Sequence, residues 1–407
     1  MTHHLGQRAQ EYLKQLAECS ISETGVTRFP FTLEHKRANA LLTTWMEEAG
    51  LSVRIDDAGT LIGRYDAGNN TKTLLMGSHQ DSVKQGGAYD GIMGIVLPVI
   101  ALDYLNRQGV KLPFSVEVLA FADEEGVRFP TALVGPRALA GTLDESVIDR
   151  KDKDGITLRS ALLNFGLQPE KISQLKRNPG DILGFIETHI EQGPVLEHEG
   201  LPLGVVSAIS GIERHQLTFT GQAAHAGTVP MHLRKDALAA AAIITIEAEK
   251  LAIKLPDLLA TVGQLDVTPN VPNAVPGRVS MMIELRSPND EVREKAGDKL
   301  QTFAKETAQL RGLGCEISKT YSQTATHCDH SLQLAIARAI AASNNPVYQL
   351  PSGATHDASA MADLTRVAML FVRCKKGISH NPAEYASDED MGLAIEALIE
   401  LLGDLQC

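Results

Sequence analysis

The sequence lacks three features that would each assign the protein to a particular class. It has no apolar run of the roughly 20 residues that a membrane-spanning helix needs, so we expect no membrane partner. It has no basic excess: the net charge is −12, which disfavours binding to nucleic acid or to an anionic membrane surface. It is also poor in cysteine and has no Cys-x-x-Cys pair, which argues against a disulfide framework.

The cysteines are few, dispersed and odd in number. They are Cys19, Cys315, Cys328, Cys374 and Cys407. Such a distribution is typical of reduced thiols, and the first residues have neither the basic nor the apolar region of a secretory signal. We therefore expect a cytoplasmic protein.

Hydrophobic periodicity predicts an α/β protein of two domains. In the first part of the chain, helices alternate with apolar strands, which predicts a mixed, mostly parallel sheet flanked by helices. Between residues 211 and 327 the order becomes βαββαβ, the ferredoxin-like α+β pattern. We therefore expect a catalytic domain formed by residues 1–210 and 328–407, with an inserted lid or dimerisation domain at 211–327.

Potential metal ligands stand where predicted strands end. His79 and Asp81 follow one apolar strand, and Asp90 precedes an apolar helix. Taken alone, these residues allow a second interpretation, with Asp90 as a helix N-cap and His79 as a core histidine. The arrangement recurs, however, with Glu125 and His189 after two further strands, and open α/β sheets place their sites at such strand ends.

The chemistry of these groups suggests a centre of two metal ions per subunit. Histidine nitrogens and carboxylate oxygens suit Zn²⁺, Mn²⁺, Co²⁺ or Ni²⁺, and two ions roughly 3.5–4 Å apart need a bridging carboxylate. Glu124 could remain free as a general base, and Asp81 could hold the far nitrogen of His79. The candidate ligands are His79, Asp90, Glu125, His189 and His380.

Four further candidates lie in loops rich in glycine, proline, histidine or asparagine, or at a strand end. Such loops are poor core material and common site material. Each also has a structural interpretation, since Asn273 could be a turn residue, Arg286 part of a surface ion pair, and His356 a cap. The four residues are His225, Asn273, Arg286 and His356.

These segments, taken in order, resemble the metal-dependent amidases of the hydantoinase/carbamoylase family. That family includes N-carbamoyl-L-amino-acid hydrolases, β-ureidopropionases and allantoate amidohydrolases, and it belongs to a superfamily of two-metal peptidases. The resemblance rests on the motifs GSHQDSVKQGGAYDG, ADEEGVRFP, HIEQGPVLE, GQAAHAGTVPM, PNVPNAVPG, SGATHDA and GISHNPAE. His189 favours the amidase branch, because the related peptidases typically have a carboxylate at this position.

The resemblance implies a role for each candidate residue. Asp90 would bridge two metals, one also bound by His79 and His189 and the other by Glu125 and His380. Glu124 would be the general acid and base, and Asp81 would support His79. The implied substrate-binding residues are Gln192, His225, Asn273, Arg286 and His356. His225, which would also stabilise the oxyanion, and Asn273 would come from the partner subunit of a homodimer.

The implied activity is hydrolysis of a linear amide or ureido C–N bond. A small substrate with a carboxylate, such as an N-carbamoyl-L-amino acid or allantoate, would bind through Arg286. Thr355 departs from the family pattern, which often has glycine there, so the pocket could be narrower or offer a hydroxyl. The alternatives are a dipeptidase or aminopeptidase of the same superfamily, or an inactive binding protein.

Overall fold

The computed structural model describes residues 2–68 and 71–405. They form two compact units. The first unit runs to Ser207 and resumes at Cys328–Leu350 and from Ala354 onward, and the second comprises Ala208–His327 with Pro351–Gly353. The first crossing comes before the expected residue 210, because a strand that the periodicity did not predict, Leu203–Ile209, runs through it.

Strands and helices alternate through most of the first unit. The strands are β1 (Ser52–Ile55), β2 (Leu61–Tyr65), β3 (Thr73–His79), β4 (Ser115–Phe121), β5 (Ile182–Ile190), β6 (Leu203–Ile209), β7 (Gly211–Thr220), β8 (Ala224–His225), β9 (Leu259–Thr268), β10 (Ala274–Val275), β11 (Arg278–Ser287), β12 (Gly314–Gln323), β13 (Thr326–His327), β14 (Gln349–Ser352) and β15 (Val367–Val372). The α-helices are α1 (Thr2–Ala17), α2 (Leu33–Glu48), α3 (Met93–Arg107), α4 (Val134–Ala140), α5 (Leu158–Phe165), α6 (Val195–Glu199), α7 (Ala237–Lys254), α8 (Asp290–Leu310), α9 (His330–Ala342), α10 (Asp357–Met361) and α11 (Asp388–Asp404).

The sheet of the first unit has the strand order β1-β2-β4-β3-β5-β15-β6. Its four central strands, β4, β3, β5 and β15, are parallel to one another, whereas β1, β2 and β6 pair antiparallel. Every residue of β3, β4 and β15 is buried, as is typical of strands covered on both faces. The predicted mixed, mostly parallel sheet is confirmed, and helices flank it.

Helix α3 lies at the centre of the helical layer and is buried along almost its whole length. It contacts β3 and β5 of the sheet, and also α1 and α11. Helices α1 and α11 approach closely, because a Cβ atom at Gly6 would lie 1.7 Å from the Asp388 carbonyl oxygen. The guanidinium of Arg8 on α1 pairs with the buried Asp103 on α3. This packing fixes the helix that follows the Asp90 loop.

The segment from 131 to 180, expected to be surface helices and loops, forms a second hydrophobic cluster. Helices α4 and α5 bury Val134, Ala138, Leu158 and Leu162, which pack together with Phe129. The prediction was wrong for these faces, because short helices of seven and eight residues show too little periodicity to reveal a buried side.

The second unit has a four-stranded antiparallel sheet with the order β12-β7-β11-β9. Helices α7 and α8 pack against it over a core that includes Phe219, Ile244, Met281 and Leu300. With the chain order β7-α7-β9-β11-α8-β12, this is the predicted ferredoxin-like pattern. The insertion of an α+β domain is thereby confirmed.

Two expectations about the chain as a whole can be compared with the described residues. None of the described helices is long and apolar enough to cross a membrane. The cysteines in the described part of the chain, Cys19, Cys315, Cys328 and Cys374, are free thiols, and Cys407 lies outside it.

Candidate metal centre

The four central strands of the first unit deliver candidate ligands to one edge of the sheet. His79 is the last residue of β3, and His189 lies next to the end of β5. Glu125 follows β4, and His380 lies in the loop after β15. Because these strands are parallel, their carboxyl ends meet at the same edge. The fifth ligand, Asp90, lies in the loop between β3 and α3.

Asp90 is the common neighbour of the three histidines. Its Oδ1 lies 3.6 Å from His79 Nε2 and 3.2 Å from His189 Nε2. Its Oδ2 lies 3.2 Å from His380 Nε2, which is itself 3.9 Å from Glu125 Oε1. One carboxylate therefore presents each of its oxygens to a different set of donors, which is the arrangement of a bridging ligand.

Hydrogen bonds fix the tautomers of two of these histidines. The Nδ1–H groups of His79 and His189 donate to the backbone carbonyls of Asp81 (3.0 Å) and Ile190 (2.8 Å). Nε2 of His189 accepts from the Gly91 amide at 3.3 Å, so it carries no proton. Both Nε2 lone pairs are thus directed toward Asp90, as a metal-binding histidine requires.

Asp81 supports the site through different atoms from those expected. Its carbonyl oxygen, and not its carboxylate, contacts His79. The carboxylate accepts hydrogen bonds from the backbone amides of Glu124 and Glu125, each at 3.2 Å, and so orients the loop after β4. The prediction that the Asp81 side chain holds the imidazole was wrong, because a neighbouring carbonyl already satisfies Nδ1.

The alternative interpretation of Asp90 as a helix cap is also wrong. Helix α3 begins at Met93 with Ile92 as its N-cap residue, and no side chain makes a capping hydrogen bond there. Gly91, between Asp90 and the helix, has φ +65° and a Cβ atom there would lie 2.4 Å from the His79 ring. The segment is therefore shaped around the histidine and not around the helix end.

The donor set fits divalent cations. Three nitrogen and oxygen donors lie within 4.8 Å of one another in the group His79, Asp90 and His189, and again in the group Asp90, Glu125 and His380. Glu125 Oε1 is buried and receives no hydrogen bond within the described residues, so a ligand is needed to satisfy it. Nitrogen and oxygen donors without cysteine suit Zn²⁺, Mn²⁺, Co²⁺ or Ni²⁺.

A second possible ligand group, Glu187, His189 and His356, fits a metal less well. Both Glu187 oxygens already accept hydrogen bonds, from Ser78 Oγ at 2.7 Å and from the Ala358 amide at 2.8 Å. His356 packs its ring against that of His189, with 4.5 Å between the centroids. Burial holds the pKa of His356 well below its usual value, so its imidazole is neutral.

The charges of the site separate its acids into two kinds. Burial opposes ionisation of Asp90, but hydrogen bonds from three histidines hold the pKa of its carboxyl well below its usual range. Burial and the nearby Glu125 carboxylate raise the pKa of Glu124 well above its usual value. Burial and Asp90 raise the pKa of Glu125 to about 7. Asp90 is thus the permanent anion, whereas Glu124 can hold a proton, as a general acid must.

Two of the predicted substrate residues also lie in the first unit. Gln192 follows β5 at φ +57°, and its amide donates to Asp90 Oδ2 at 3.1 Å. His356 is buried, and Thr355 before it is half-buried. The structure therefore brings Gln192 and His356 to the metal ligands, and their contact with substrate stays a prediction.

The other three predicted residues belong to the second unit. His225 and Asn273 lie together on the β8–β10 hairpin, where the Ala226 amide donates to the Asn273 carbonyl at 2.9 Å. The side chain of His225 is exposed, and its Nδ1 accepts from the Gly227 amide at 3.0 Å, which leaves the proton on Nε2. Arg286, on β11, donates to Glu284 at 2.7 Å and also bonds the Gly353 carbonyl.

Two residues that contact the site escaped the sequence analysis. Glu384 and Ser379 lie in the same loop as His380, and they connect that loop to the Asp90 segment. The motif GISHNPAE contains both, but its spacing shows nothing of a contact with residues near position 90.

Three comparisons place these features among known proteins. The family model of Peptidase family M20/M25/M40 matches residues 75–404. An N-carbamoyl-L-amino acid amidohydrolase of Geobacillus stearothermophilus is 39% identical, with 98% of each chain covered. An allantoate deiminase of Arabidopsis thaliana is 38% identical, covering 96% of this chain and 80% of its own.

A solved structure extends the likeness to the fold. An amidase of the hydantoinase/carbamoylase family from Burkholderia multivorans superposes with a TM-score of 0.92 at 32% identity, covering 98% of this chain and 97% of its own. The resemblance seen in the motifs is thus confirmed over nearly the whole length. The chain belongs to peptidase family M20/M25/M40, in its hydantoinase/carbamoylase group of amidases.

Proposed function

We propose that this protein hydrolyses a linear ureido or amide C–N bond in a small substrate with a carboxylate. The observation that carries the proposal is the Asp90 carboxylate, which faces two histidines with one oxygen and a third with the other. Relatives named for N-carbamoyl-L-amino acids and for allantoate support this substrate class.

The metal ligands would be divided between two cations that share Asp90. His79 and His189 would complete one set, and Glu125 and His380 the other. A pair of divalent cations would supply Lewis acidity, lowering the pKa of the attacking water and polarising the substrate carbonyl. Zinc, manganese, cobalt and nickel all suit these donors.

Glu124 is the group that moves the proton. Its carboxylate takes a proton from water as the oxygen attacks the ureido carbon, and it returns that proton to the nitrogen that leaves. The raised pKa of Glu124 suits both steps, since a base that must later act as an acid works best near the operating pH. For an N-carbamoyl amino acid, one water is consumed and the products are the amino acid, ammonia and carbon dioxide.

Residues of the second unit would bind the substrate and stabilise charge. Arg286 offers a planar guanidinium that matches a carboxylate in two-point contact. The protonated Nε2 of His225 is a suitable donor to the developing oxyanion, a contact worth roughly 3–4 kcal/mol in comparable sites. Asn273, on the same hairpin, would contact the substrate, with His356 and Gln192 as further contacts.

We also propose that the protein is a homodimer formed through the second unit. Strand β9 is an edge strand with pairing on one side only among the described residues. The neighbouring helix α7 exposes Ile246 and Ile253, at 51% and 79% of their surface. An unpaired edge beside exposed isoleucines favours a second copy of this chain, which would supply His225 and Asn273 to the site. Sedimentation equilibrium showing a monomer at micromolar concentration would contradict this.

A substrate panel tests the proposed activity. The metal-reconstituted protein is assayed for ammonia release from allantoate, N-carbamoyl-β-alanine, ureidoglycolate and several N-carbamoyl-L-amino acids, and for cleavage of dipeptides. We expect ammonia release and no dipeptide cleavage. Cleavage of dipeptides alone would identify a dipeptidase instead. Less than one equivalent of metal after reconstitution, with no turnover, would indicate an inactive binding protein.

Glu124→Gln separates catalysis from metal binding. We expect the variant to bind metal as the wild type does and to lose at least about 100-fold in kcat, because proton transfer contributes 10²–10⁴-fold in such reactions. Retained turnover would contradict the role of Glu124.

A further inference from the structure

A buried carboxylate joins the loop of Asp90 to the loop of His380. The side chain of Glu384 is buried, and its Oε1 accepts hydrogen bonds from the amides of Tyr89 and Asp90, each at 3.0 Å. Its Oε2 accepts from the Ser379 hydroxyl at 2.6 Å. One side chain therefore holds the backbone of the bridging ligand and the residue next to His380.

Gln192 closes this connection into a ring. Its Nε2 donates to Asp90 Oδ2 at 3.1 Å and to Ser379 Oγ at 3.2 Å. The single hydroxyl proton of Ser379 goes to Glu384, so the Ser379 oxygen can only accept from Gln192. This fixes which end of the Gln192 amide faces Asp90. Asp90 is thus held from its backbone by Glu384 and from its carboxylate by Gln192.

The chain makes room for this ring with a glycine. A Cβ atom at Gly87 would lie 2.1 Å from Glu384 Oε1 and 2.4 Å from its Cβ atom. Gly87 is part of the glycine pair that follows the first ligand motif. Its lack of a side chain lets the Glu384 carboxylate reach the Tyr89 and Asp90 amides, which a larger residue would prevent.

The ring has a geometric consequence for the metal ligands. A bridging carboxylate must keep each oxygen toward its own donor set, yet an aspartate side chain can rotate about two bonds. The Glu384 contacts fix the Asp90 backbone, and the Gln192 contact fixes Oδ2 on the side of His380. The bond to Ser379 sets the position of the His380 loop relative to both.

We propose that Glu384 is a positioning residue for the metal centre, acting with Ser379 and Gln192 to hold Asp90 as the bridge between the two donor sets. Glu384 touches neither the donors of the histidines nor the reacting atoms, and it acts through the Asp90 amide and through Ser379. The inference rests on the metal sites of the proposed function.

Metal affinity of the whole protein tests this role. Metal-free wild type, Glu384→Ala and Glu384→Gln are titrated with Co²⁺, with affinity and the visible absorption spectrum as readouts. We expect Glu384→Ala to lose roughly 10- to 100-fold in affinity, as is typical when a supporting residue of a metal ligand is removed, and to change the Co²⁺ spectrum. Glu384→Gln keeps an oxygen for the two amides and should recover most of the affinity.

Asp56→Ala is the matched control. Asp56 is also buried, and its Oδ1 likewise accepts two backbone amides, from Ala58 at 2.9 Å and Thr60 at 3.0 Å, in the turn between β1 and β2. We expect this variant to lose stability against urea but to keep the Co²⁺ affinity and spectrum of the wild type. Equal losses of affinity in Asp56→Ala and Glu384→Ala would overturn the proposal, since they would show general loosening.

Other outcomes also decide the question. Wild-type affinity and spectrum in Glu384→Ala would overturn the proposal directly. If Glu384→Ala does not fold, Ser379→Ala removes only the link between Glu384 and Gln192, and an unchanged Co²⁺ spectrum in that variant overturns the proposal. A wild type that binds Co²⁺ but releases no ammonia contradicts the proposed substrate and leaves the comparison of affinities intact.

Discussion

Gly91→Ala should damage the metal centre far more than it damages the fold. Gly91 has φ +65°, and a Cβ atom there would lie 2.4 Å from two atoms of the His79 ring. Ordinary contact begins at 3.4 Å, so the ring must retreat by about 1 Å, which is 3.4 minus 2.4. Metal–ligand distances tolerate only about 0.2 Å, so a displaced His79 cannot bind in its original geometry.

The size of the loss follows from this displacement. Removing a residue that merely supports a ligand costs about 10- to 100-fold in metal affinity, and moving the ligand itself should cost at least as much. The left-handed conformation adds a separate cost to folding, about 1–2 kcal/mol for a residue with a side chain. The two costs can be separated, because the second acts without metal.

Gly109→Ala supplies the comparison. Gly109 has φ +71°, but a Cβ atom there meets nothing within 4 Å. We expect both variants to lose about 1–2 kcal/mol or more in the free energy of unfolding, measured by urea in the presence of a chelator. Only Gly91→Ala should lose affinity for Zn²⁺ or Co²⁺, measured by competition with a chromophoric chelator. Equal metal affinities in the two variants would refute the reasoning.

Two further predictions concern substrate binding and pH. Arg286→Lys should raise KM about 10-fold or more with a smaller change in kcat, because a hydrogen bond to a charged group is worth about 1.5–3 kcal/mol; Arg278→Lys, exposed on the same strand, is the control, and an unchanged KM for Arg286→Lys would contradict the clamp. Burial lowers the pKa of His35 to about 3, so the unfolded chain binds a proton that the folded chain refuses, and stability falls as pH drops below about 6.5. Between pH 7 and 5.5 this should remove about 1 kcal/mol from the free energy of unfolding, a loss that His35→Gln should not show in urea titrations at the two pH values.

The ligands could be found from the sequence because each follows a strand with a strong signal. Strands β3 and β4 are buried at every residue, and such continuous apolar runs mark central parallel strands. A histidine or an acid directly after such a run must lie at the carboxyl edge of the sheet. The one weak strand, β6, was missed because its run contains Gly204, which lies against Leu350 and Leu196.

The support of those ligands divides into a local part and a distant part. The local part could have been expected to involve Asp81, but pattern alone could not distinguish its carbonyl from its carboxylate, since both lie near His79. The distant part could not be predicted at all. Glu384 bonds the Asp90 amide across 294 positions of the chain, and no periodicity carries information over that distance.

This division explains how one sheet edge can hold a two-metal centre with few added parts. Each of His79 and His189 is oriented by a carbonyl one or two residues away, so its tautomer is set as soon as its own strand ends. Such local bonds cannot place the two donor sets relative to each other, because each set comes from different strands. That distance is set by the one ligand common to both, Asp90, and by the hydrogen bonds from Glu384 and Gln192 that fix its backbone and its carboxylate. Metal geometry at this edge therefore depends more on the residues around Asp90 than on those around any single histidine.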